Sequence, residues 1–312
     1  VWHGRTAPTP SYARLWCYAG FFLSLTQGPF NRYNTLMPQL EAAPKTFETQ
    51  RLVSGLQRSA WGYFKKFAIA DRAAIVVSAA FADPASFDRS QLIFATVMYS
   101  FQLYADFSGY TDIVLGMGEI LGLYLPENFR QPFFSASVKE LWARWHISLS
   151  QWFRDYVYIP LGGNRKGLKR QIFNLFVVEL LTGIWHGANW NFICWGLYYF
   201  VLLAIEKLFL LPHLKKGKVW PHIYTLFLVV VGWAMFVGND AGVEFGLLFR
   251  KLFIPSGGVM PLYFLRNYGV LLAVSILCCT PLIEKIWNAL RKHTVTRVAA
   301  VLVLLVLSTA YV

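Results

Sequence analysis

Two histidines carry the sequence's clearest chemical potential. His186 lies in LTGIWHGANWNF, Leu181 to Phe192, and from Ile172 to Ile205 the only formally charged residue is Glu179. A titratable imidazole is costly in so apolar a setting unless it has a partner or a task. Glu179, Thr182 or Gly183, and His186 recur at i, i+3/i+4 and i+7, so they share one helical face. With Trp185 and Trp190 as walls and the amide of Asn189 close by, this set suits a base or acid in a prepared pocket. The alternative is a buried histidine satisfied by a neighbour, with Glu179 neutralising a structural contact.

His146 lies upstream in SVKELWARWHISLSQWFRDYVYIP, Ser137 to Pro160. Read as one helix, this segment gathers Val138, Leu141, Trp142, Trp145, Leu149, Trp152, Phe153 and Tyr156 on one side. Glu140, Arg144, Ser148, Gln151 and Asp155 fall opposite. A helix with a tryptophan side and an ionic side fits the membrane interface or the wall of a polar cavity. His146 shares the tryptophan sector with Trp142 and Ser150, away from the ionic side. Arg144, Arg154 and Asp155 are expected to form ion pairs. Asp106, Tyr110, Asp112 and Glu119 belong to a long apolar run from Gln91 to Phe129, where intramembrane carboxylates are expected to face protein or water.

The elements that position these residues must be membrane helices. The chain of 312 residues is 56% hydrophobic and only 14% charged, with positive mean hydropathy, which excludes an ordinary soluble domain. Apolar segments at Trp61–Phe81, Leu92–Leu125, Ile172–Leu211, Ile223–Asn239, Asn267–Ile283 and Val298–Val312 approach the roughly 20 residues that one crossing needs. The net charge of +13 sits in short loops: Arg165, Lys166, Lys169 and Arg170; Lys215, Lys216 and Lys218; Arg291, Lys292 and Arg297. That is the positive-inside pattern and not a nucleic-acid footprint. Cys17, Cys194, Cys278 and Cys279 lack metal-ligand or disulfide-framework spacing, so no metal centre is expected. No internal repeat is visible, and one membrane-embedded domain is expected over residues 1–312. Because the chain starts at Val1 and its last apolar run continues to Val312, both ends are expected to be cut from a longer chain.

Topology places His186 further. A helix from Gln171 to Trp185 is about 22 Å long, too short to cross, yet the loops before and after this region are both basic and belong on the cytoplasmic side. A re-entrant hairpin turning near Gly187 satisfies both conditions. The run from Gln91 to Phe129 is too long for one straight crossing and is expected to bend near Gly109 or to form a hairpin. Pro29–Arg58 reads as a surface connection with short helices.

FQLYADFSGYTDI, RWHISLSQWFRDYVYIPLGGNR and IWHGANWNFICWG, in this order and spacing, resemble the membrane-bound O-acyltransferase superfamily over about 100 residues, Phe101 to Gly196. YIPLGGNRKG and QGPFNRY are most similar to its bacterial, alginate-acetylating branch. The resemblance implies an all-α polytopic fold of short, bent and re-entrant helices around a central catalytic cavity. It implies transfer of an acetyl group from a cytoplasmic thioester, acetyl-CoA or a similar donor, with no bound cofactor. The acceptor would be the hydroxyls of a secreted polysaccharide, reached through periplasmic or extracellular partner acetyltransferases, at the bacterial inner membrane. It makes His186 the catalytic histidine and His146 the family's second histidine. A neutral imidazole with a pKa near 7 suits deprotonation of the attacking hydroxyl, and Asn189, Trp190 or His146 could stabilise the oxyanion. D-alanyl transfer to teichoic acid from an acylated carrier is the near alternative. A proton-coupled transporter is the distant one.

Overall fold

The computed structural model describes residues 11–42, 46, 48–187, 189–240, 245–253, 261–290 and 294–310, and every regular element among them is helical. Helices α1 (Tyr12–Ala19) and α2 (Tyr33–Glu41) precede a long pair. Helix α3 (Thr49–Phe64) runs through a wide π turn at Lys65–Ala70 into α4 (Asp71–Ala82), and α5 (Arg89–Ile120) returns antiparallel beside them. Two short helices, α6 (Val138–Arg144) and α7 (Ile147–Phe153), lead to the α8 (Gly167–His186) and α9 (Trp190–Ile205) hairpin. Helix α9 continues through a second wide turn at Glu206–Leu210 into α10 (Leu211–Leu214). Then follow α11 (Trp220–Asp240), α12 (Phe245–Phe253), α13 (Pro261–Cys278), α14 (Pro281–Leu290) and α15 (Thr294–Thr309).

Two of these helices, Trp190–Leu214 and Trp220–Val237, are long and apolar enough to cross a membrane. Leu262–Cys278 with Pro281–Leu290, bent by 77°, makes a third if it is one span. The all-α membrane character read from composition is therefore the observed one. The basic loops around Lys166 and Lys216 stand at the start of α8 and the end of α10, so the hairpin brings both to one end. Arg291 and Lys292 of the third basic cluster, like Val312, lie outside the described residues.

Helix α5 is not broken at Gly109 and forms no hairpin. It is one helix of 32 residues, opened by a capping box between Asp88 and Gln91. Gly109 serves contact instead: a Cβ there would meet the Gly62 carbonyl, and one on Gly62 would meet that of Gly109. Gly55 and Gly116 repeat the arrangement, so α3 and α5 touch backbone to backbone. This closeness fixes the carboxylates of α5. Asp112 pairs with Lys65 at 2.5 Å and Arg58 at 3.0 Å, Asp106 with Lys66 at 2.7 Å, and Glu119 accepts from Ser54.

Two further differences matter to the site. The segment from Ser137 to Pro160 is not one helix, because it breaks at Trp145 and His146, where His146 takes a left-handed φ of 44°. That conformation costs a β-carbon-bearing residue about 1–2 kcal/mol, and the cost is borne by the packing around the ring. Helix α8 has 20 residues, about 30 Å, because it starts within the basic segment. There Arg170 is held in the first turn by a 2.8 Å hydrogen bond to the Leu161 carbonyl. His186 thus stands at the far end of α8 from the basic segment.

Candidate active site

Each histidine is delivered by a chain break. His146 occupies the break between α6 and α7 and is 5% exposed. Its ring stacks on Phe30 at 5.7 Å, meets Phe107 edge-on at 4.8 Å, and faces Trp185 at 6.2 Å. Its Nδ1 lies 3.2 Å from Oδ1 of the fully buried Asn128. Burial disfavours the charged form of this ring, and the neighbouring His186 pushes the same way. His186 ends α8, boxed by Trp185, Phe192, Trp195 and Phe236 at centroid distances of 4.8, 5.8, 5.2 and 5.1 Å. Among the described residues neither of its ring nitrogens hydrogen-bonds a protein group, so aromatic packing alone orients it.

Glycines hold the hairpin that carries His186. A Cβ on Gly183 would lie 2.5 Å from the Phe192 carbonyl, and one on Gly196 would strike that of Glu179. Helices α8 and α9 are therefore in backbone contact one turn below the imidazole.

Both histidines line a cavity of about 540 Å³, together with Trp142, Ser150, Glu179 and Thr182. This is within the range of small-ligand sites. On α8 the lining runs from Leu175 to His186, about 16 Å along the axis. The end away from His186 carries Lys139, Arg154 and Lys207, with Tyr158, Asn164 and the carboxyl-bearing Glu206 beside them. Arg154 pairs with Asp155, and Arg144 with Glu140, whereas Lys139 and Lys207 make no ion pair among the described residues. Glu179 is 8% exposed and has no hydrogen-bond partner among those residues. The cavity is thus largely apolar in its walls, rich in cations at the end near Lys139 and Lys207, and carries the Glu179 carboxyl partway along and the two imidazoles towards the other end.

The remaining candidates lie around this cavity. Trp185 does not line it but packs against both histidines and Phe30. Asn189 caps α9 by accepting from the Asn191 N–H, and Trp190 is 76% exposed. Asp106 is tied to Lys66, and the Tyr110 hydroxyl meets that of Thr26 at 2.8 Å. Tyr104 and Asp112 line a second cavity of about 1000 Å³ with Arg58, Lys65 and Glu127. The aromatic wall of Phe107, Phe129 and Trp145 backs onto His146.

Several site residues escaped sequence reasoning. Phe30 comes from QGPFNRY, a stretch read as part of a surface connection and as a family-like motif without any of its residues being assigned to the site, and Phe236 from α11, with no signal beyond apolarity. Asn128 and Glu206 escaped because their partners are remote in sequence. Glu206, 1% exposed, accepts from the N–H groups of Val138 at 2.6 Å and Lys139 at 3.0 Å, and so caps α6 from the far end of α9.

A sequence model of the membrane-bound O-acyltransferase family matches residues 5–241. The chain is 40% identical over 248 residues to a probable alginate O-acetylase of Pseudomonas putida, covering 78% of this chain and 50% of that protein. It is 35% identical to the peptidoglycan O-acetyltransferase of Helicobacter pylori, covering 78% and 46%. With the teichoic acid D-alanyltransferase of Bacillus subtilis it shares 31% identity, covering 72% and 61%. The chain spans about half the length of most of these curated relatives.

Proposed function

Because the chain belongs to the membrane-bound O-acyltransferase family, we propose that it is a membrane O-acetyltransferase acting on a secreted polysaccharide such as alginate. Its donor is a cytoplasmic thioester, acetyl-CoA in the simplest case, and His186 is the general base. The observation that carries this reading is one cavity that is lined both by the two histidines and by Lys139, Arg154 and Lys207. The phosphates of coenzyme A supply the anion these cations suit, and an extended thioester arm suits a cavity lined over about 16 Å of α8. At the histidine end the acceptor hydroxyl attacks the thioester carbonyl while His186 takes its proton. The C–S bond then breaks, the thiolate leaves with that proton, and the ester remains on the sugar. Since the basic loops lie at the donor end, the acetyl group moves outward, to be handed on with the help of periplasmic partner acetyltransferases at the bacterial inner membrane.

D-alanyl transfer is the second reading, and Glu179 favours it: an unpartnered carboxyl in the passage wall is placed to meet the ammonium of an aminoacyl group. Donor competition separates the two. The full chain in nanodiscs is given labelled acetyl-CoA with alginate oligosaccharides, and separately a D-alanyl-charged carrier protein with teichoic acid. Label in the oligosaccharide supports the first reading; label in teichoic acid alone replaces it with the second.

A further inference from the structure

The polarity of the hydrogen bonds around His146 fixes more than its position. The Ser148 backbone N–H, which can only donate, points at Asn128 Oδ1 at 3.1 Å, so this atom is the amide's oxygen and not its nitrogen. The Phe30 N–H donates to Ser148 Oγ at 3.0 Å, which leaves the Ser148 hydroxyl hydrogen to donate to the same Oδ1 at 2.8 Å. Oδ1 therefore acts only as an acceptor, and the proton shared with His146 Nδ1 at 3.2 Å must reside on the ring. The Asn128 carbonyl also accepts from the Ile147 N–H at 3.0 Å, so Asn128 grips the chain just after the left-handed His146, while the Arg130 N–H holds it before by donating to the Arg144 carbonyl at 2.9 Å. Among the described residues His146 Nε2 has no hydrogen-bond partner, and the ring lines the cavity.

We propose that Asn128 is a positioning residue that locks His146 as its Nδ1-protonated tautomer and presents the Nε2 lone pair to the acyl-transfer cavity. His146 then accepts, from an acceptor hydroxyl or a thiol, and does not donate a hydrogen bond to the oxyanion. The role in transfer rests on the reading of this cavity given above; the tautomer itself does not.

The two are tested apart. The chain has six histidines, so selective ¹⁵N-histidine labelling of the full chain in nanodiscs yields few ring signals, with His146 assigned by the signals lost in His146→Gln. The wild type is expected to show His146 protonated at Nδ1 and bare at Nε2. An Nε2-protonated His146 in the wild type overturns the proposal without any variant having to fold. Asn128→Asp keeps an acceptor at Oδ1 and is expected to keep the Nδ1–H signal, whereas Asn128→Leu is expected to lose it. In acetyl transfer from labelled acetyl-CoA, Asn128→Leu is expected to lower kcat about ten- to a hundred-fold, the loss typical of removing a partner that orients an imidazole. KM for the donor stays near its original value, and Asn128→Asp recovers most of the rate. An Asn128→Leu protein that keeps the Nδ1–H signal overturns the lock. One that loses the signal yet transfers at the wild-type rate overturns the role in transfer and leaves the lock standing.

Discussion

Replacing Gly183 by alanine tests whether the hairpin contact sets the site. A Cβ at Gly183 would lie 2.5 Å from the Phe192 carbonyl, and ordinary contact begins at 3.4 Å. Helices α8 and α9 must therefore part by about 0.9 Å if the whole misfit is taken along the contact. Overpacking of this kind costs about 1–3 kcal/mol, partly offset by the better helix propensity of alanine, worth about 1 kcal/mol. The protein should fold with a modestly lower melting temperature. Activity should suffer more, because His186 stands one turn further along α8 and Phe192, across the turn, is one of the rings that box it. A displacement near 1 Å can cost about a hundredfold in rate. The assay is acetyl transfer by the full chain in nanodiscs, with thermal unfolding followed in the same samples. Gly269→Ala in α13, where an added Cβ meets nothing within 4 Å, should leave the rate unchanged. A Gly183→Ala protein with the wild-type rate would show that the α8 and α9 contact does not set the imidazole's position.

Two other expectations follow from charge. Asp112→Asn should destabilise the protein by about 3–5 kcal/mol by leaving Lys65, 5% exposed, without its carboxylate. A Lys65→Met, Asp112→Leu pair should recover much of that loss in thermal unfolding, and a double variant less stable than Asp112→Asn would refute the burial argument. Single cysteines at Lys166 and Lys216, in a background lacking the four native cysteines, should be labelled from the same side of sealed vesicles, and labelling from opposite sides would sink the hairpin.

Pattern at helical range made part of this site legible. Glu179, Thr182 and His186 share a face because a single helix imposes that spacing, and all three line the cavity. What stayed hidden depends on contacts between distant segments. Gly109 reads as a kink when α5 is taken alone, and only the approach of Gly62 turns it into a helix contact. The break at His146 is invisible to apolar periodicity, because it is imposed by Asn128 and Phe30, which reach the residue from two other stretches of chain. The sequence alone shortens α8, because Lys169 and Arg170 read as loop charges, whereas a carbonyl at Leu161 keeps Arg170 in the first helical turn.

The general-base role of His186 is tested most directly by comparing His186→Gln with the wild type at matched expression and thermal stability. Glutamine keeps a hydrogen-bonding group in the aromatic box but cannot take up the proton. Acetyl transfer by the folded variant should fall by the 10²- to 10⁴-fold typical of losing acid–base catalysis. Transfer at near the wild-type rate would contradict the assignment.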